Sequence, residues 1–169
     1  STGLIIPEID LPAHSRAITH AYPQFACDGD STDFYTGTRV LKTKLCLQKM
    51  PALKQFVGTM LTEVMQLFPS TYLHIGGDEV LLNQVGDKQA LPKFYEFIAQ
   101  LAMRNNKQLI GWEEFMLQSS QPQQHTYQLW NLPSNALALA EKTQRPVILS
   151  FCDFFFILCH FYFLKGRLT

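Results

Sequence analysis

The chain has 169 residues, 14 Lys and Arg against 14 Asp and Glu, and a formal net charge of zero. Its 47% hydrophobic and 17% charged content excludes a disordered or low-complexity chain, and the charge balance removes the basic signature of a nucleic-acid binder. The length suits one domain with a sizeable core.

Residues 3–9, Gly-Leu-Ile-Ile-Pro-Glu-Ile, predict a buried strand that ends near Pro7, which has no N–H to donate. Residues 23–50 are polar and turn-rich around Asp28-Gly29-Asp30-Ser31 and read as a long loop. Pro51 opens a helix in which Leu53, Phe56, Val57, Met60, Leu61, Val64 and Phe68 recur at helical spacing, and Pro69-Ser70 ends it. Tyr72 to Ile75 is a second strand, followed at once by Gly76-Gly77. Leu91 to Met103 is a second amphipathic helix with Phe94, Phe97, Ile98 and Leu101 on one face, stopped at Asn105-Asn106. Leu109 to Trp112 and Thr126 to Trp130 are the third and fourth strands, Ser134 caps a short helix through Lys142, and Pro146 to Ser150 is the fifth strand. From Val147 to Leu164 the chain is almost wholly apolar, but Asp153 and His160 interrupt it, and a charge at mid-span argues against a membrane segment. Residues 151–169 read instead as a divergent or aberrant hydrophobic tail.

Alternating strands and helices indicate an α/β chain with a parallel sheet. A doubly wound sheet and part of a barrel both fit that order. Acids or aromatics stand at the C-terminal end of nearly every strand: Glu8 and Asp10, Asp78 and Glu79, Trp112 and Glu113, Trp130. A ring of such side chains is how a (β/α)8 barrel builds a site, and a complete barrel takes roughly 250 residues, so the expectation is an incomplete (β/α)8 barrel over residues 1–150. The chain opens at Ser1 without a charged-then-apolar leader, as in the middle of a domain. Cys27, Cys46, Cys152 and Cys159 form no closely spaced metal or redox pair; a Cys27–Cys46 disulfide and four free thiols are equally compatible with their spacing.

His74-Ile-Gly-Gly-Asp-Glu79 carries the strongest chemical signal. Two adjacent carboxylates cannot face one way in a regular strand, but a Gly-Gly turn at its end frees the backbone to aim both into a cleft. Like charges held close raise one pKa, which suits one acid to donate a proton near neutrality. In Ile6-Pro-Glu-Ile-Asp10-Leu-Pro-Ala-His14, Glu8 and Asp10 share a strand face, and His14 is placed to return to Asp10, which would set its tautomer. A metal-dependent hydrolase using His14, His74 and Asp78 is a weaker reading, because no closely spaced HxH or HExxH ligands occur.

Together these segments resemble glycoside hydrolase family 20, the β-N-acetylhexosaminidases. Ile6 to Ala17 is similar to the family's third-strand motif, with Ala13 where Gly is usual; His74 to Glu79 is similar to its catalytic fourth-strand motif; Gly111-Trp-Glu113 and Gln128-Leu-Trp130 are similar to the fifth and sixth. The resemblance implies retaining hydrolysis of terminal β-linked N-acetylglucosamine or N-acetylgalactosamine, in which the substrate's 2-acetamido oxygen, not a side chain, is the nucleophile. It implies that Glu79 is the general acid/base and that Asp78 binds the acetamido N–H. It places Asp10 and His14 in support, His14 near Glu79 and Asp10 orienting His14, with His74 packing the turn. It makes Trp112 and Trp130 walls of the sugar pocket and lets Glu113 either reach a sugar hydroxyl or stand on the surface. No cofactor or metal is implied. The partner implied is an N-acetylhexosamine-terminated oligosaccharide or glycoconjugate, with no nucleic acid or membrane, in an extracytoplasmic setting (secreted, periplasmic or lysosomal). The family's first two strands and its eighth have no counterpart, and Phe156 and Leu158 stand where it has a sugar-binding Tyr and Asp. A truncated, non-catalytic remnant that at most binds an N-acetyl sugar weakly is the alternative, and the chain by itself is expected to be unstable and to hydrolyse poorly.

Overall fold

The computed structural model describes residues 5–37, 41, 43–80, 87–121, 124–130, 138, 141–142, 144–145, 147–152 and 159–164. Helix α2 (Met50–Leu67) buries Leu53, Val57, Leu61 and Met65, a four-residue repeat that makes one apolar stripe. Pro51 sits in its first turn, where a missing N–H is harmless, and Phe68 is extended ahead of Pro69. Helix α3 (Ala90–Arg104) buries Leu91, Phe94, Tyr95, Ile98 and Ala102. Asn106 stops it in the left-handed region, at φ 55°. No helix among the described residues is long and apolar enough to cross a membrane.

Strands β1 (Tyr72–His74), β2 (Gln108–Trp112), β3 (Thr126–Leu129) and β4 (Val147–Cys152) pair parallel in chain order, with Leu73 opposite Leu109, Ile110 opposite Thr126 and Gln128 opposite Ile148. Before β1, residues 7–11 run parallel to it: the Ile9 N–H donates to His74 O at 2.9 Å and the Leu11 N–H to Ile75 O at 3.0 Å. The expected first strand is therefore present as an irregular pairing with a single bridge, Glu8 to His74, because Pro7 contributes only its carbonyl. A doubly wound sheet reverses its strand order at a switch point. Here the order is monotonic, and the architecture is an incomplete (β/α)8 barrel. Leu73, Ile75, Leu109, Tyr127 and Leu129 bring the sheet into one core with α2 and α3.

Three features depart from expectation. Helix α1 (Arg16–Ala21) and 3-10 turns at Pro23–Phe25 and Leu47–Lys49 punctuate the region after the first strand. Helix α4 (Glu113–Gln118) follows β2 without a break, with Glu113 and Glu114 in its first turn, where the helix dipole favours them. Strand β5 (Cys159–Leu164) lies antiparallel on β4, from Val147 opposite Leu164 to Cys152 opposite Cys159. Most of the helix expected from Ser134 to Lys142, and the Phe156 and Leu158 positions, lie outside the described residues.

Of the two cysteine readings, the structure holds the disulfide. Cys27 and Cys46 are joined with their Cα atoms 4.7 Å apart and a sequence separation of 19. A loop of that size contributes about 3 kcal/mol through lost unfolded-state freedom. Buried Phe25, Leu45 and Leu47 pin the same segment to the core.

Candidate active site

The site begins where β1 ends. Gly76 and Gly77 both take positive φ, 64° and 91°, and Glu79 follows at φ 53°. The turn needs glycine for space as well as for angle: a Cβ on Gly76 would lie 1.7 Å from Asp10 Oδ1, and one on Gly77 would lie 2.8 Å from Phe115 Cβ. This kink turns two successive side chains toward one imidazole. His14 Nε2 lies 3.2 Å from Asp78 Oδ2 and 3.5 Å from Glu79 Oε2. His14 itself takes φ 54°, a left-handed backbone of the kind that gathers at functional sites.

The other ring nitrogen fixes the tautomer. His14 Nδ1 is 3.1 Å from the Leu41 carbonyl, which can only accept, so Nδ1 carries the proton. In the neutral ring Nε2 is then an acceptor facing acceptors. It gains a hydrogen bond only when a proton lies between it and a carboxylate. The expected pairing of Asp10 with His14 is not made, because Leu41 takes the ring nitrogen that Asp10 was to hold. Asp10 instead rests against Gly76.

Burial dominates the electrostatics. Asp10 is pushed up from 3.8 to about 6, chiefly by desolvation, with Asp78 and Glu8 adding like charge. Asp78 is also raised, again by burial first; His14 opposes the shift and Glu79 adds a smaller upward push. Like-charge repulsion within the Asp-Glu pair is therefore a minor cause. Asp10 Oδ1, His14 Nε2, His74 Nε2 and Asp78 Oδ1 are buried without a hydrogen-bond partner among the described residues. Native folds rarely leave such atoms, and their concentration here makes this cluster the candidate site.

A carboxyl whose proton is held more tightly in the folded than in the unfolded chain lowers stability as it ionises. For Asp10 that loss runs from about pH 3.8 to about pH 6 and is complete above it. The stability of Asp10→Asn relative to the parent, from urea midpoints, should rise across this window and level off above it. A difference independent of pH would contradict the assigned shift.

His74 is buried beneath the turn. Its Nδ1 lies 3.1 Å from both the Gly76 N–H and Glu8 Oε1, accepting from the first when neutral and donating to the second when protonated. The Trp112 indole N–H donates to the same Glu8 oxygen at 3.2 Å, and its ring meets His74 edge-on at 5.3 Å. The hydrogen bond from His74 is the main reason the Glu8 carboxyl is held below its ordinary pKa.

Glu113 does not stand on the surface. It is 1% exposed, and its Oε2 accepts the Trp130 backbone N–H at 2.8 Å, tying the start of α4 to the end of β3. The site-facing acid of this pair is Glu114: Oε1 lies 3.4 Å from the Glu79 N–H and Oε2 3.4 Å from the Trp130 indole N–H. Sequence reasoning missed this role. Which of two adjacent glutamates faces inward depends on the helix starting at Glu113, and six residues carry too little periodicity to show it. Trp130 is 42% exposed at the rim. Among the described residues, no cluster of three or more His, Cys, Asp or Glu side chains can hold a metal ion. His14, His74 and Asp78 therefore do not form the alternative metal set.

Comparison with known proteins decides the family. The profile of glycosyl hydrolase family 20, catalytic domain, matches residues 4–165. The chain belongs to glycosyl hydrolase family 20. It is 36% identical over 110 residues to a beta-N-acetylhexosaminidase of Cellulomonas fimi, covering 65% of this chain and 21% of that protein. It is 32% identical over 126 residues to a beta-hexosaminidase of Vibrio furnissii, again covering 65% and 21%. The family 20 beta-N-acetylhexosaminidase of Streptomyces coelicolor A3(2) superimposes with a TM-score of 0.73 at 28% identity, over 87% of this chain and 30% of that one. The Vibrio harveyi exo beta-N-acetylglucosaminidase in complex with N-acetylglucosamine gives a TM-score of 0.67 at 27% identity, over 86% and 25%. The family 20 chain thus spans about a fifth of the length of these sequence relatives.

Proposed function

We propose that the full-length protein hydrolyses terminal β-linked N-acetylhexosamine with retention of configuration, the substrate's own acetamido group acting as nucleophile. The observation that carries this reading is the shared imidazole: one His14 Nε2 within 3.5 Å of both Asp78 and Glu79, at a strand end of a family 20 barrel.

Glu79 donates a proton to the glycosidic oxygen as the bond from that oxygen to the anomeric carbon breaks. The acetamido oxygen closes on the anomeric carbon and forms an oxazolinium ring. Asp78 accepts the acetamido N–H and stabilises the positive charge that develops there. Glu79, now ionised, takes a proton from water, whose oxygen bonds the anomeric carbon and reopens the ring. Holding the nucleophile within the substrate removes most of the orientational entropy from the barrier. His14, in contact with both carboxylates, keeps them apart and oriented. Trp112 and Trp130 wall the sugar, Trp112 fixed by Glu8 and Trp130 by Glu114. The Cys27–Cys46 disulfide supports an extracytoplasmic, oxidising location.

The test is substrate discrimination. The full-length protein should release 4-nitrophenol from N-acetyl-β-glucosaminide or N-acetyl-β-galactosaminide and leave the corresponding β-glucoside, which lacks the acetamido group, intact. Equal turnover of the glucoside would overturn the reading.

A further inference from the structure

Helix α4 opens directly off the end of β2, and Phe115 sets its place. That side chain is fully buried. Its ring meets Tyr95 edge-on at 4.7 Å and Tyr127 at 6.0 Å between centroids. Two glycines let it come so close: a Cβ on Gly77 would lie 2.8 Å from Phe115 Cβ, and one on Gly111 would overlap the Phe115 ring. A helix of six residues has little stability of its own, so this packing decides where it starts. It starts against the turn that carries Asp78 and Glu79.

The two residues before Phe115 are thereby fixed at the site. Glu113 accepts the Trp130 backbone N–H. Glu114, half-buried, accepts at both of its oxygens: from the Glu79 backbone N–H at Oε1 and from the Trp130 indole N–H at Oε2, each at 3.4 Å. Trp130 is therefore held at its backbone by one glutamate and at its ring by the next. The carboxylate that holds the ring also holds the backbone of Glu79, which stands at φ 53°. A left-handed residue other than glycine costs energy and persists only where its surroundings impose it.

We infer that Glu114 is a positioning residue that sets the general acid and the Trp130 wall of the sugar pocket relative to one another. The inference rests on the reaction proposed above. Its chemical basis is the pair of donors. Both groups that face Glu114 are N–H donors, and an ionised carboxylate offers an acceptor to each. A glutamine of the same shape offers one acceptor and one NH2. Its NH2 must then face either the Glu79 N–H or the Trp130 indole N–H, donor against donor. The unmet donor is costly, so the ring or the turn shifts. Removing the indole N–H removes the conflict, because the one carbonyl oxygen is then free to serve Glu79.

The experiment is a double-substitution cycle on the full-length protein. Glu114→Gln, Trp130→Phe and the two together are compared in turnover of 4-nitrophenyl N-acetyl-β-glucosaminide. Glu114→Gln alone should lower kcat/KM about tenfold, the effect of one hydrogen bond to a charged group. In the Trp130→Phe background, which keeps a ring in the wall, the same change should cost less than about twofold. A Glu114 that merely supported the fold would cost the same in both backgrounds, and so would one acting on Glu79 alone. Either result overturns the inference, as does parent-like turnover of Glu114→Gln. A second readout needs no turnover. The indole N–H proton resonance of Trp130, identified by its loss in Trp130→Phe, should move upfield in Glu114→Gln as its bond to a carboxylate is lost. An unmoved resonance overturns the inference. If the resonance moves and the parent protein hydrolyses no N-acetylhexosaminide, the proposed reaction fails and the link between Glu114 and Trp130 stands.

Discussion

Glu79→Gln is expected to lower kcat on N-acetyl-β-glucosaminides by about 10²–10⁴-fold, the range for loss of a positioned acid/base. Gln keeps the shape of the side chain and leaves the backbone N–H that faces Glu114 in place. The transferable proton is lost, and with it the carboxylate that would take a proton from water in the second step. The deficit should therefore depend on the leaving group. An alkyl or sugar alcohol needs protonation as it departs, whereas 2,4-dinitrophenolate does not, so the defect in the first step should shrink markedly for the dinitrophenyl glycoside. The same loss for both leaving groups would mean that Glu79 acts by charge or packing rather than by proton transfer. Rates at several pH values make the comparison complete.

Gly76→Ala should be nearly as damaging without touching a reacting group. The new Cβ would meet Asp10 Oδ1 at 1.7 Å and Asp10 Cα at 2.9 Å. A side chain can rotate away, but a backbone atom cannot. Nor can the turn drift: the Leu11 N–H donates to Ile75 O, the Ile75 N–H to Ile110 O at 3.0 Å, and the Trp112 N–H to Gly76 O at 2.9 Å. The variant must also adopt φ 64° with a side chain. Left-handed strain costs about 1–2 kcal/mol and overpacking about 1–3 kcal/mol more. Because both carboxylates hang from this turn, a shift of about an ångström should lower kcat/KM on the order of 100-fold. Gly29→Ala is the control, with φ 85° and nothing within 4 Å of the added carbon. It should show the angular strain alone and keep its activity. If Gly76→Ala behaves like Gly29→Ala in urea denaturation and in turnover, the close approach of Asp10 is not a constraint.

Much of this arrangement was legible in the residues. Long helices declare themselves by repetition, and Leu53, Val57, Leu61 and Met65 carry the stripe that α2 buries. The Gly-Gly turn announced that Asp78 and Glu79 leave the strand together. What stayed hidden depends on contacts distant in sequence. His14 is recognisable as a candidate, but its Nδ1 partner, Leu41, lies 27 residues away, and nothing in the local sequence points to it. Glu113 and Glu114 are indistinguishable until the start of α4 is known. The disulfide stayed open because spacing alone does not bring Cys27 to Cys46; the packing of Phe25, Leu45 and Leu47 does. The direction of β5 was equally unreadable, since an apolar run pairs either way.

In the proposed reaction the substrate's acetamido oxygen attacks while Asp78 and Glu79 assist it. The most direct measurement replaces the acetamido methyl stepwise by fluoromethyl, difluoromethyl and trifluoromethyl in a 4-nitrophenyl β-glycoside and follows kcat/KM of the full-length protein. Each fluorine withdraws electrons from the carbonyl and weakens it as a nucleophile. A steady fall along the series is predicted, steepest at the trifluoro member. A flat series would contradict the account and point to a nucleophile supplied by the protein or by water.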